Sequence, residues 1–211
     1  MNVIEKNVSK QKIFKSFPPT KHTNKLLLTT EGIYSVSGYD ASKHLAKLIL
    51  KFFKGKKDLI ITDATANNGS DTITLALYFK HINAIEKDNT NFSVLQNNVN
   101  VFNLKNISLF HDSLINIIPT IKQDIIFLDA PWKTSMDMNY KEQKNLKLFI
   151  DNIEISDIYK NFKQYCKLFI FKVPFNYDFS YFIQNTLLQN YSIISYSYHN
   201  KIKFFYIFIQ S

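Results

Sequence analysis

Four short apolar runs, each leading into an acidic residue, constrain this chain more than any other feature of its sequence. Leu59-Ile60-Ile61 leads to Asp63, residues 81–85 to Glu86, 107–110 to Asp112 and 124–128 to Asp129. Continuous apolar runs of this length read as strands buried on both faces. Helical patterning separates them at 72–79, 91–102 and 114–118. A further helix is expected over 155–165 and a fifth strand over 168–171. Two β-rich runs, 191–198 and 202–209, flank His199-Asn200-Lys201 and predict a closing hairpin. Strands alternating with helices and then a hairpin imply an α/β fold. It should be a doubly wound, mostly parallel seven-stranded sheet with a C-terminal antiparallel hairpin.

Ahead of the first strand, Ala41, Leu45, Leu48, Ile49 and Phe52 form a helical stripe closed by Gly55, with Asp40 as the expected N-cap. Residues 1–25 are polar and Lys-rich with a Pro18-Pro19 break, and read as a loosely ordered basic arm. Residues 26–211 are expected to form a single domain.

The net charge is +9, and all 26 basic residues are Lys. A basic balance favours a polyanionic partner, nucleic acid or nucleotide. Without Arg, phosphates must be held by Lys, backbone N–H groups and hydroxyls. The bias toward Lys, Asn and Ile fits an AT-rich genome, viral or parasitic. Cys166 is the single cysteine, which excludes an intrachain disulfide and a Cys-cluster zinc site and reads as a small buried hydrophobe. No metal site is expected. The N-terminus lacks a signal-peptide core, and no apolar run approaches a membrane span of ~20 residues. The expectation is therefore a soluble intracellular protein without membrane contact, cytoplasmic or nuclear.

In doubly wound sheets, ligands sit beyond the carboxyl ends of the strands. The first such end is Asp63-Ala64-Thr65-Ala66-Asn67-Asn68-Gly69. Its small residues let backbone approach a ligand, and Gly69 can take a positive φ. It is not a G-x-G-x-x-G cradle, because Thr65, Asn67 and Ser70 stand in place of further glycines. Asp63 suits an ammonium and would repel a pyrophosphate. Glu86 follows Asp63 by 23 residues, close to the ~20 expected of a ribose-hydroxyl acceptor. Asp112 would face an adenine amine. At the fourth strand end, Asp129-Ala130-Pro131-Trp132 holds the only Trp directly after a proline. Proline holds the segment extended. Trp132 can then stack on a base while Asp129 accepts from an exocyclic amine. A plain strand–helix turn and a buried Trp are the structural alternatives.

Residues 28–132 resemble the trimethylguanosine synthase family, the cap-guanine N2 methyltransferases. Glu31-Gly32-Ile33-Tyr34-Ser35-Val36-Ser37 is similar to the family's E-G-W-F-S-V-T. The stretch from Asp63 through Gly69-Ser70-Asp71-Thr72-Ile73 is similar to D-x-x-x-G-x-G-G-N-T-I, and Asp129-Ala130-Pro131-Trp132 stands where the family has S-P-P-W. The resemblance implies S-adenosylmethionine as cofactor, with Ser35, Ser37, Asp63, Thr65, Gly69, Thr72, Glu86, Asp112 and Ser113 as its binding residues. It implies a capped RNA or 7-methylguanosine nucleotide as partner. Asp129, Pro131 and Trp132 would then be catalytic, with Trp132, Lys172, Asn176, Lys21 and Lys25 on the substrate. Asp129 for Ser and Ala130 for Pro are departures. They leave open an amine on an internal RNA or DNA base, since D-P-P-W occurs in adenine N6 methyltransferases. A 2′-O-methyltransferase would need a Lys-Asp-Lys-Glu set, of which Asp129 and Lys172 supply two. Loss of glycines from the turn also leaves open a catalytically silent RNA-binding subunit.

Overall fold

The computed structural model describes residues 3–5, 9–132 and 140–211. The chain divides into two compact units, 1–123 and 124–211. In the first, β1 (Ile4–Glu5) precedes α1 (Lys10–Ser16) and pairs antiparallel with β2 (Leu28–Thr29). Next come α2 (Thr30–Ser35), α3 (Tyr39–Phe52), β3 (Ile60–Asp63), α4 (Ser70–Ala76), β4 (His81–Ile85), α5 (Asn89–Phe102), β5 (Ile107–Phe110) and α6 (Leu114–Ile117). Strands β3, β4 and β5 lie side by side in parallel.

In the second unit, β6 (Ile125–Leu128) is followed by the short antiparallel pair β7 (Phe149–Ile150) and β8 (Ile153–Glu154). Then come α7 (Ile155–Phe162), β9 (Leu168–Pro174), α8 (Phe179–Thr186), β10 (Tyr191–Tyr198) and β11 (Lys201–Gln210). β6 and β9 are parallel, β11 runs antiparallel to β9, and β10 closes the edge antiparallel to β11. Strands β3 to β6 and β9 to β11 compose a mostly parallel seven-stranded sheet with a terminal hairpin, the class that the alternation of runs predicts. All seven residues of β9 and all four of β6 are buried, as continuous apolar strands require.

The helix limits differ from the sequence reading in places. Gly38, with extended φ and ψ, precedes α3, so Asp40 is not the N-cap; it lies in the first turn and pairs with Lys43 at 3.3 Å. α4 starts two residues earlier than expected, directly after Gly69. α1, α2 and α8 were not expected. Within the stretch read as an arm, Ile13 and Phe17 are buried in a cluster with Leu26, Leu28, Ala66, Ile73, Leu95 and Val99. Ser9 caps this short helix by accepting from Lys12 N, and the burial of Ile13 and Phe17 holds it in place, while the surrounding lysines mask them in composition. The sequence from 133 to 147 is polar and rich in Lys, and of it residues 133–139 lie outside the described residues.

Candidate cofactor and acceptor sites

In the first unit, β3 delivers Asp63, 1% exposed, to the head of the turn. Thr72 Oγ1 on α4 donates to Asp63 Oδ2 at 2.6 Å. Gly69 ends the turn at φ 91°. A Cβ there would be strained by this backbone conformation and would also crowd the Leu95 side chain, with Cδ1 at 2.7 Å, so the conformation favours glycine and the packing adds to it. Asn67 takes φ 47°. Asparagine tolerates this left-handed region better than most residues. The turn therefore keeps a glycine-type backbone where the glycine of the resembled motif is missing.

Glu86 stands one residue beyond β4. Its Oε2 accepts from Asn67 N at 2.8 Å and its Oε1 from Asp88 N at 2.8 Å. Asp88 is itself fixed as the N-cap of α5, accepting from Thr90 N and Asn91 N. Burial pushes the Glu86 carboxyl above the usual carboxylate range, with Asp88 and Glu31 adding to the effect and the two N–H donors opposing it. Each carboxylate oxygen keeps a further lone pair, the requirement for holding two adjacent hydroxyls.

Sequence reasoning missed Asn67. Its Nδ2 donates to Ser35 Oγ at 3.0 Å, and its Oδ1 is shielded from solvent without a hydrogen-bond partner among the described residues. The signal was the asparagine in a glycine position.

The N-terminal segment is tied into this turn. Asn68, fully buried, accepts from Thr29 N at 2.9 Å and donates to Asn91 Oδ1 at 3.1 Å; Thr29 Oγ1 donates to the same Asn91 oxygen at 2.8 Å. Asn98 bridges the turn and the segment by donating to Asn68 O and Leu27 O and accepting from Leu27 N. Gly32 N donates to Thr29 Oγ1, and a Cβ on Gly32 would meet Asn68 Oδ1 at 1.8 Å. That contact explains the glycine of Glu31-Gly32. Ser37 is buried, and its hydroxyl donates to Asp71 Oδ2, while Ser70 Oγ donates to Ser37 O at 2.8 Å. Ser35 thus stands beside Glu86 through Asn67, whereas Ser37 joins the starts of α3 and α4.

Asp112 is exposed and accepts from Ser113 N and Asn116 Nδ2, which hold its carboxyl below the usual range, the Asn116 amide foremost. Ser113 caps α6, its Oγ accepting from Ile115 N. Thr65 is half-buried on the turn, and Lys21 and Lys25 are exposed.

In the second unit, β6 ends directly before Asp129. Lys172 of neighbouring β9 places Nζ 2.6 Å from Asp129 Oδ2, the two side chains being 5% and 17% exposed. The ammonium lies 5.6 Å from the centroid of the Trp132 ring and 5.0 Å from that of Phe204 on β11. Tyr140 meets Trp132 edge-on at 5.4 Å, and burial raises its phenol pKa against the opposing charge of Lys172. Trp132 is half-buried, and its Nε1 lacks a hydrogen-bond partner among the described residues. Pro131 is exposed. Asn176 donates to Tyr140 O at 2.6 Å and Gln143 O at 2.7 Å, so its amide holds the segment carrying Tyr140. An ion pair and three aromatic rings therefore surround the strand end.

A family model for RNA cap guanine-N2 methyltransferases matches residues 58–211. The chain belongs to this family. Its members are S-adenosylmethionine-dependent methyltransferases, and so is this chain. The uncharacterized protein L320 of Acanthamoeba polyphaga mimivirus is 26% identical over 227 residues, covering 90% of this chain and 87% of the mimivirus protein. Among solved structures, an rRNA methylase from Streptococcus thermophilus is similar, with TM-score 0.53, 12% identity, and coverage of 82% of this chain and 94% of the methylase. SMU.1697c of Streptococcus mutans, solved with S-adenosylhomocysteine, has TM-score 0.54, 17% identity, and coverage of 78% and 96%. At these identities the solved structures show a shared fold. Among the described residues, no helix of this methyltransferase is long and apolar enough to cross a membrane, and no cluster of His, Cys, Asp and Glu is suited to a metal ion.

Proposed function

We propose that this chain methylates the exocyclic N2 of 7-methylguanosine in an RNA cap. The observation that carries the reading is the pairing of half-buried Asp129 with the buried Lys172 ammonium, set directly before Pro131-Trp132. A carboxylate held by a cation accepts an N–H from an amine, and a neighbouring indole gives a flat base a stacking surface.

The turn fits the cofactor. Glu86 has the lone pairs and the fixed orientation for two ribose hydroxyls, Asp63 the charge for an ammonium, and the left-handed backbone at Asn67 and Gly69 the openness for close approach. Thr65, Thr72, Ser35, Ser37, Asp112 and Ser113 complete the proposed set, with Ser37 and Thr72 acting through Asp71 and Asp63. When bound, the cofactor supplies an electrophilic sulfonium methyl. Asp129 orients the acceptor amine by taking one of its hydrogens, so that the nitrogen lone pair is free for the methyl. It also receives the proton shed once the new N–C bond has formed. Pro131 holds Trp132 extended for stacking, and alignment supplies most of the rate. Lys21, Lys25 and Asn176 are proposed on the substrate side.

A second reading, methylation of an amine on an internal base, is favoured by Asp129 where the family has Ser. The test is radiolabel transfer to 7-methylguanosine diphosphate. Transfer to this compound is expected, and Trp132→Ala should weaken its binding by about 1–3 kcal/mol. No transfer to it, with transfer to internal adenine or guanine of RNA or DNA, would establish the second reading instead.

A further inference from the structure

We propose that the outer face of α3 is a lysine track for the phosphate backbone of the RNA that follows the cap. The proposal rests on the cap-methyltransferase reading and extends it to the body of the substrate.

Between Asp40 and Asp58 the chain has no acidic residue and six lysines: Lys43, Lys47, Lys51, Lys54, Lys56 and Lys57. Lys47, Lys51, Lys54, Lys56 and Lys57 are all exposed. The two flanking acids are already engaged, Asp40 with Lys43 at 3.3 Å and Asp58 with Lys80 at 2.8 Å. Lys43, Lys47 and Lys51 recur every fourth residue on α3, which sets them about 6 Å apart along one helix face. That is of the order of the separation between successive phosphates in an extended single strand.

The track has a direction. Ser37, just before α3, is bonded to Asp71 and Ser70 at the start of α4, so α3 begins at the cofactor-turn end of this unit. Its far end reaches Gly55 and the lysines ahead of β3. α1 packs near the beginning of α3, with Lys15 O 3.5 Å from the position a Cβ on Gly38 would take. Exposed Lys15 and half-buried Lys12 therefore add charge at that end. Neighbouring cations already feel one another. Lys12 is lowered by burial and by Lys15, and His44 by burial and by Lys47.

A helix dipole accounts for part of such a pattern only. Lys51 lies in the last turn, where a cation is favoured. Lys43 and Lys47 lie before it, and Lys54, Lys56 and Lys57 beyond it. A membrane surface fits less well, because the apolar residues Leu45, Ala46 and Ile49 are buried and Phe52 is the one large apolar side chain among the exposed residues of the helix, too little for an apolar face.

The test compares wild type with K47Q/K51Q/K54Q, all surface positions, on two acceptors: 7-methylguanosine diphosphate and a capped oligoribonucleotide. The variant should raise KM for the capped RNA about tenfold or more at low salt. The salt slope of RNA binding should also shrink by about 2, from three lost contacts at ~0.7 each. Transfer to the diphosphate should be unchanged. An unaltered RNA KM and salt slope would overturn the track, as would equal losses on both acceptors. Loss of binding to phosphatidylserine vesicles with RNA binding intact would assign the face to a membrane and overturn it too. Binding of an uncapped oligoribonucleotide, read by anisotropy, reports on the track even if the diphosphate proves not to be methylated, so the two readings fail separately.

Discussion

Lys172 Nζ, within β9, and Asp129 Oδ2, one residue past the end of the adjacent parallel β6, lie 2.6 Å apart, both largely withdrawn from water. Such a pair contributes little net stability, but removing one partner leaves the other charge uncompensated, at about 3–5 kcal/mol for a buried group such as Lys172 and less for the half-buried Asp129. Lys172→Met is therefore expected to be destabilising, though less so than loss of the carboxylate. It should also lower kcat more than it weakens cofactor binding, because Asp129 loses its fixed orientation. Asp129→Ser restores the residue of the family's S-P-P-W but strands the ammonium. The double variant removes both charges and should be more stable than either single variant. Urea denaturation of the four proteins closes the cycle, and additive losses would show that the pair is not coupled.

Gly32 and Asn68 form a second close relationship. A methyl group on Gly32 would lie 1.8 Å from Asn68 Oδ1, inside a fully buried network with Thr29 and Asn91. Asn68 cannot move without breaking bonds to Thr29, Asn91 or Asn98. Gly32→Ala is expected to cost about 2 kcal/mol or more, from lost buried hydrogen bonds. It should also weaken S-adenosylhomocysteine binding, because Asn68 adjoins Asn67 in the turn. A stability within 0.5 kcal/mol of wild type, a bound set by what ordinary surface changes do, would show that the network relaxes freely.

The strand alternation, the terminal hairpin and the acids at four strand ends were legible because apolar runs and their punctuation carry them directly. The N-terminal elements were not. Ile13 and Phe17 are a pair too short to show periodicity, and the anchors of that segment are side-chain amides of Asn68, Asn91 and Asn98, which read as polar surface in a linear sequence. Asp63, Glu86, Asp129 and Trp132 could be singled out from their positions after strands. Asn67 could not, since its use depends on a left-handed backbone visible only in the folded turn. The pairing of Lys172 with Asp129 depends on register between β6 and β9, which no local pattern encodes.

Cys166 gives a simple chemical check on the second unit. Burial pushes its thiol up to about 11, hydrogen bonds opposing only in part. Thiolate is the reactive form, so at pH 7 modification by a disulfide reagent should be about a few hundredfold slower than for a free cysteine. The rate should keep rising with pH beyond the range where free thiols level off. Reaction at the free-thiol rate under native conditions would mean that the residue is accessible and ionised.

Glu86 yields the pH dependence of cofactor binding. Burial raises its pKa, so in the free protein the folded state holds a proton at pH values where the unfolded carboxyl has lost it. Stability attributable to this group therefore falls as pH rises from the ordinary glutamate value, 4.5, through the raised one, and is greatest once both states are protonated. Ligand binding runs the other way. Two ribose hydroxyls donating to the carboxylate favour its ionised form, so binding lowers the pKa and releases protons between the bound and free values. Affinity for S-adenosylhomocysteine should thus rise with pH across that window and level off above it. Calorimetry in buffers of different ionisation enthalpy counts the protons directly. Glu86→Gln should bind more weakly and lose both the proton release and the slope. A wild-type affinity that stays flat through the window would mean that Glu86 does not hold the ribose.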